Sequence, residues 1–94
     1  MRHFIVVKWK EGTDKEAQTE PVRELFEKTL SIPGVRAVRV SPCCIARSNR
    51  YDLMIEIDME KDALPAYDES VPHKEWKSGY GDLIETKTIF DRED

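Results

Sequence analysis

Residues 3–10 run His3-Phe4-Ile5-Val6-Val7-Lys8-Trp9-Lys10. An alternation of period two puts His3, Ile5, Val7 and Trp9 on one face of an extended strand. Phe4, Val6, Lys8 and Lys10 fall on the other. Apolar residues occur on both faces, so the strand reads as covered on both sides. The expectation is a sheet with helices against one face and a second layer against the other.

On the C-terminal side, Glu11-Gly12 closes the strand, and Thr13 to Glu16 has the spacing of a capping box. A helix is expected from there to about Leu30, interrupted at Pro21, with Thr19 as a restart point. Val22, Leu25, Phe26 and Leu30 recur at helical spacing and form its buried stripe. Ser31-Ile32-Pro33-Gly34 stops it, and Val35 to Val40 reads as a second strand. Ser41 to Arg50 is a loop. Tyr51 to Met59 alternates again, with Leu53, Ile55 and Ile57 inward. Asp62 is placed to cap a short helix carrying Ala63, Leu64, Ala66 and Tyr67. Ser70 and Pro72 start another, reaching Trp76, with Gly79 and Gly81 bracketing its end. Leu83 to Phe90 is the last strand, and Asp91 to Asp94 reads as a charged tail.

The resulting order, β-α-β-β-α-β, is the ferredoxin-like α+β arrangement: an antiparallel four-stranded sheet with helices on one face. Phe4, Val6 and Met54 are then left on the bare face. An apolar patch of that kind marks an interaction surface, and a second copy of the same sheet would cover it. With 94 residues, residues 1–94 are read as one domain that completes its core by dimerisation.

Composition narrows the function classes. Hydrophobic residues are 39% and charged residues 36% of the chain, and the net charge is −4. A mildly acidic chain without a dense basic patch speaks against nucleic acid as a partner. The longest apolar run near the start, Phe4 to Val7, is too short for a signal core or a membrane span. Cys43 and Cys44 are adjacent, cannot staple a loop, and read as free thiols of a reducing compartment, so a cytoplasmic location is expected. No spaced Cys/His set suggests zinc, and Gly79 and Gly81 do not form a phosphate loop. Trp9 and Trp76 read as core or pocket wall, and the acidic runs as solvated surface.

Several segments, taken in order, resemble the stress-responsive dimeric α/β-barrel (Dabb) family. They are Arg2 to Thr13, Ile32-Pro33-Gly34-Val35, Tyr51-Asp52-Leu53, Ala66-Tyr67 with Pro72-His73 beyond, and Phe90-Asp91. The resemblance implies a protomer whose sheet packs on a partner sheet to form a dimeric α+β barrel. The family includes proteins without assigned turnover and a plant polyketide cyclase that closes its product by an intramolecular aldol condensation. By that resemblance His73 matches the general base, Tyr67 and His3 match pocket residues, and Asp91 matches the carboxylate orienting the base. Leu25 stands where the cyclase has a pocket tyrosine, so its substrate does not carry over.

Each of these residues also has a plainer reading. His3 among Ile5, Val7 and Trp9 is equally a core histidine satisfied by one hydrogen bond. His73 at a helix start is equally a solvated first-turn residue. The His-Asp grouping is also a set that could hold a metal ion, though sparse. The chemistry of proton transfer beside a carbonyl fits these side chains and requires neither cofactor nor metal: imidazole is the base suited to neutral pH, and a tyrosine hydroxyl can donate to an enolate oxygen. Two functions remain: a dimer binding a small hydrophobic or carbonyl ligand without turnover, or a cofactor-independent cyclase or isomerase. A cavity between sheet and helices that gathers His3, Tyr67 and His73 is the feature that would distinguish a site from a filled core.

Overall fold

A computed structural model describes residues 1–94. Four strands form one sheet: β1 (Arg2–Trp9), β2 (Val35–Pro42), β3 (Leu53–Met59) and β4 (Ile84–Arg92). Their order is β2-β3-β1-β4, with every neighbour antiparallel. Three helices follow β1 and β3: α1 (Lys15–Glu27), then α2 (Leu64–Asp68) and α3 (Val71–Tyr80). β1 and β2 therefore run parallel with β3 between them, which is the ferredoxin-like α+β fold expected from the element order.

The alternation in β1 is realised along its whole length. His3, Ile5, Val7 and Trp9 are buried under the helices, as are Leu53, Ile55, Ile57 and Met59 of β3. α1 adds Val22, Leu25 and Phe26 to this layer, and α2 and α3 add Tyr67 and Trp76. Trp9, Phe26, Trp76 and Tyr80 meet edge-on or tilted at centroid distances of 5.2–6.3 Å. Asp52 fixes the far end of β1, where the β1–β4 register shifts between Lys8 and Trp9. Its carboxylate accepts from Trp9 N at 2.9 Å and from Lys15 Nζ at 3.1 Å.

Several local details differ from the sequence expectation. The cap of α1 is Asp14, accepting from Ala17 N, rather than Thr13. Pro21 lies inside a continuous helix. Ala17, whose carbonyl loses its donor there, and Pro21 are both exposed, so water can satisfy the orphan while Val22 and Phe26 hold the helix to the sheet. After Glu27 the helix tightens into a 3-10 turn over Lys28–Ser31. The change of pitch moves the buried position to Thr29, and Leu30 is 45% exposed. β3 starts at Leu53, leaving Tyr51 outside it, and a 3-10 turn over Lys61–Ala63 precedes α2 without a side-chain cap from Asp62. β4 runs to Arg92, so Asp91 belongs to a strand and not to a tail.

Gly34 has φ 94° at the entry to β2, and a Cβ there would stand 2.9 Å from Ala63 Cβ. The position demands glycine both for its backbone and for the approach of the segment leading into α2.

The opposite face of the sheet carries no helix. Register places Phe4, Val6, Met54 and Phe90 on it, with Phe90 60% and Met54 37% exposed, and Phe4 and Phe90 6.3 Å apart. Arg2, Glu56 and Asp58 lie on the same face, and an Arg2–Glu56 ion pair of 2.7 Å sits among them.

Candidate functional site

The site grows from the pairing of the first and last strands. His3 stands opposite Asp91, Ile5 opposite Ile89, and Val7 opposite Lys87. Directly paired residues share a face, so Asp91, Ile89 and Lys87 project to the helix side along the sheet edge. Above them runs the α2–α3 corner. There Ser70 caps α3: its Oγ accepts from His73 N at 3.3 Å and donates to the Tyr67 carbonyl at 2.7 Å. One side chain thus ties the last turn of α2 to the first turn of α3 and sets Tyr67 and His73 side by side.

Between edge and corner lies a cavity of about 340 Å³. His3, Tyr67, His73 and Asp91 all line it, together with Ile5, Leu64, Asp68, Trp76, Lys77, Lys87 and Ile89. The Tyr67 ring stands between the two imidazoles, 5.4 Å from His3 and 4.8 Å from His73. All four residues singled out in the sequence are therefore brought together on the helix side.

Their pairing differs from the expected one. Asp91 Oδ1 is 2.5 Å from Nδ1 of His3, not of His73. Strand register makes this contact, because Asp91 faces His3 across β1 and β4. His73 is oriented by backbone instead: its Nδ1 is 2.8 Å from the Asp68 carbonyl oxygen. A carbonyl only accepts, so Nδ1 carries the proton and Nε2 of the neutral ring keeps its lone pair. Burial pulls the pKa of His73 below its ordinary value. The Asp68 carbonyl and carboxylate oppose this shift, and Lys77 and Lys87 reinforce it. Burial therefore favours the neutral imidazole, in which Nε2 is the acceptor nitrogen.

Tyr67 is 1% exposed, and its hydroxyl has no hydrogen-bond partner. Burial, with a smaller contribution from the Asp68 carboxylate, raises its pKa, so the hydroxyl stays protonated and remains a donor. Buried polar groups are normally paired, so an unpaired donor on a residue that lines the cavity is an exception. The arrangement offers one hydrogen-bond donor, one neutral base and apolar walls to whatever enters.

A larger hollow of about 740 Å³ lies over the β2–β3 loop and is lined by Lys8, Lys15, Pro42, Cys43, Cys44 and Asp52 among others. It gathers no histidine and no unpaired buried polar group. Size favours this hollow, but His3, Tyr67, His73 and Asp91 all line the smaller cavity. Cys43 and Cys44 are exposed free thiols. No group of three or more His, Cys, Asp or Glu side chains is arranged to hold a metal ion.

Sequence reasoning missed three contributors: the Asp68 carbonyl, Lys77 and Lys87. Lys77 was legible as the residue four after His73 on one helix face. Lys87 was legible by alternation from Asp91, but only once Asp91 was placed in the strand. A backbone carbonyl leaves no trace in residue type.

No family model matches the sequence, and no curated protein matches it. Solved structures do match. A dimeric protein of unknown function with a ferredoxin-like fold from Bacteroides fragilis superposes with a TM-score of 0.82 at 14% identity, over 99% of this chain and 94% of that one. A dimeric ferredoxin-like protein of unknown function from Thermobifida fusca gives 0.79 at 18%, over 95% and 85%. A Dabb family protein with a ferredoxin-like fold from Mesorhizobium loti gives 0.64 at 14%, over 99% and 94%. At these identities the likeness establishes the fold, which this chain shares with proteins described as dimeric and with a Dabb protein. No helix is long and apolar enough to cross a membrane.

Proposed function

We propose that this chain is a homodimeric Dabb-type protein that binds a small carbonyl-bearing ligand in the cavity between Tyr67, His73 and His3. The observation that carries the reading is the unpartnered, buried hydroxyl of Tyr67, a residue that lines a cavity of about 340 Å³, a size in the range of small-molecule sites. A carbonyl oxygen accepting from that hydroxyl would satisfy it, and Ile5, Leu64, Trp76 and Ile89 supply an apolar lining. Dimerisation is proposed through the open sheet face, in keeping with the dimeric neighbours and with the exposed Phe90 and Met54. The adjacent free thiols suit a cytoplasmic setting.

A second reading is favoured by the tautomer of His73. With Nδ1–H donated to Asp68, Nε2 is a base that could take a proton from a carbon next to the bound carbonyl. Tyr67 would donate to the developing enolate oxygen; the imidazolium would return the proton to another carbon in an isomerisation, or to the alkoxide formed when the enolate carbon attacks a second carbonyl of the ligand in a cyclisation. That is cyclase- or isomerase-type chemistry without a cofactor.

Native mass spectrometry of the purified protein tests the first reading. The expected spectrum is a dimer that carries a small-molecule adduct, or takes one up from a panel of carbonyl compounds, with uptake weakened in His73→Ala and Tyr67→Phe. A dimer that takes up nothing, or takes up ligand equally in all three proteins, would contradict it. Solvent deuterium entering the ligand with wild type but not His73→Ala would establish the second reading.

A further inference from the structure

The cavity has two unlike ends. At one, His3 and Asp91 are occupied with each other at 2.5 Å. Asp91 is thereby engaged as an acceptor. At the other, Lys87 stands two residues before Ile89 on the same side of β4, and Lys77 lies one turn beyond His73 on α3. Neither lysine has an ion-pair partner, although ten such pairs occur elsewhere in the molecule. Both ammonium groups bear electrostatically on His73. The remaining carboxylate on the lining, Asp68, belongs to the α2–α3 corner beside Tyr67 and His73.

Both lysines are exposed and solvated, and they border the cavity without a carboxylate of the protein paired to them, which leaves room for a counter-charge. The ligand can supply it. We propose that the ligand is an oxo-carboxylate whose carbonyl accepts from Tyr67 while its carboxylate lies between Lys77 and Lys87. His73 and Lys77 are one helical turn apart, with Cβ atoms about 5–6 Å from each other, so a ligand that presents the carbon beside its carbonyl to His73 and its carboxylate to Lys77 calls for a short spacer. A chain of two or three bonds between the two groups provides it. A charge-assisted contact to two lysines fixes which way round the ligand enters and which carbon faces His73.

This inference rests on the carbonyl-binding reading above, and one titration separates the two. The probes are 4-oxopentanoate and its neutral amide, 4-oxopentanamide, added to isotope-labelled protein while the ring signals of His3, Tyr67 and His73 are followed by NMR. The acid is expected to shift those signals with at least tenfold tighter binding than the amide. The preference should collapse in K77Q and in K87Q, and persist in K74Q, which removes an exposed lysine of the same helix that does not line the cavity. Retained signal dispersion establishes that each variant is folded. Equal binding of acid and amide, or a preference that survives in K77Q and K87Q, overturns the inference while leaving carbonyl binding in place. If neither probe moves the three rings, both the inference and the binding reading fail.

Discussion

Tyr67 shows what an unpaired hydroxyl costs the fold. Its hydroxyl is buried without a partner, and an unsatisfied buried donor costs about 1–3 kcal/mol. Removing the oxygen while keeping the ring should therefore help the unliganded protein. Tyr67→Phe is expected to raise stability by about 1 kcal/mol, roughly 4–8 °C in melting temperature for a domain of this size. The same change should weaken ligand uptake about tenfold, the worth of one lost hydrogen bond to a buried carbonyl. Thermal melts with and without ligand check both halves. A loss of stability would mean that the hydroxyl is satisfied in solution. At this scale the sequence named His3, Tyr67, His73 and Asp91 but misjudged who holds whom. His3 and Asp91 are 88 positions apart, and only the β1–β4 register makes them partners. That register is a property of two strands meeting, which neither strand spells out alone.

At the scale of elements, the α2–α3 corner places the chemistry. Ser70 joins the Tyr67 carbonyl to the His73 amide, so it is a positioning residue for both rings. Ser70→Ala should cost about 1 kcal/mol as a lost cap. It should also blur the placement of His73, lowering ligand affinity by more than the stability loss explains; Ser70→Thr should restore both. Denaturant unfolding and ligand titration of the three proteins provide the comparison, and an affinity unchanged in Ser70→Ala would remove Ser70 from the site. Within α1, Pro21→Ala should stabilise by up to about 3 kcal/mol, since alanine restores the donor to the Ala17 carbonyl; unfolding curves that coincide with wild type would contradict this. The alternation of β1 and β3 and the Ser70 cap were readable because they depend on neighbours along the chain. The continuity of α1 through Pro21 and the swap of Leu30 for Thr29 were not. Both follow from how the helix packs and how its last turn tightens, where tertiary contact outweighs local preference.

At the scale of the whole molecule, the two sheet faces differ: one holds the core and the cavity, the other carries no helix and is the face proposed for a second copy. The element order made this division legible, because βαββαβ with two-sided apolar strands has few other solutions. Phe90 is not legible as part of this face from its own strand, because only the β1–β4 register pairs it with Phe4. Val6→Asp puts a charge in the centre of that face, where a monomer would tolerate it and a buried interface would not. A penalty of about 3 kcal/mol corresponds to a roughly hundredfold weaker dimer. Sedimentation of wild type and variant at micromolar concentration is expected to give dimer and monomer respectively; a monomeric wild type would refute the shared face. The central claim concerns the state of one ring in this assembled protein. With only two histidines in the chain, imidazole nitrogen NMR across pH 4 to 9 reads it without ambiguity. Burial lowers the folded pKa of His73 below the ordinary 6.5 of a histidine, so the unfolded chain binds more protons between the two values. The stability owed to neutral His73 is then complete above 6.5 and is lost as pH falls below it. The account predicts that His73 titrates below 6.5 and that its neutral form carries the proton on Nδ1 with Nε2 bare. A neutral ring protonated on Nε2, or a midpoint above 6.5, would contradict it.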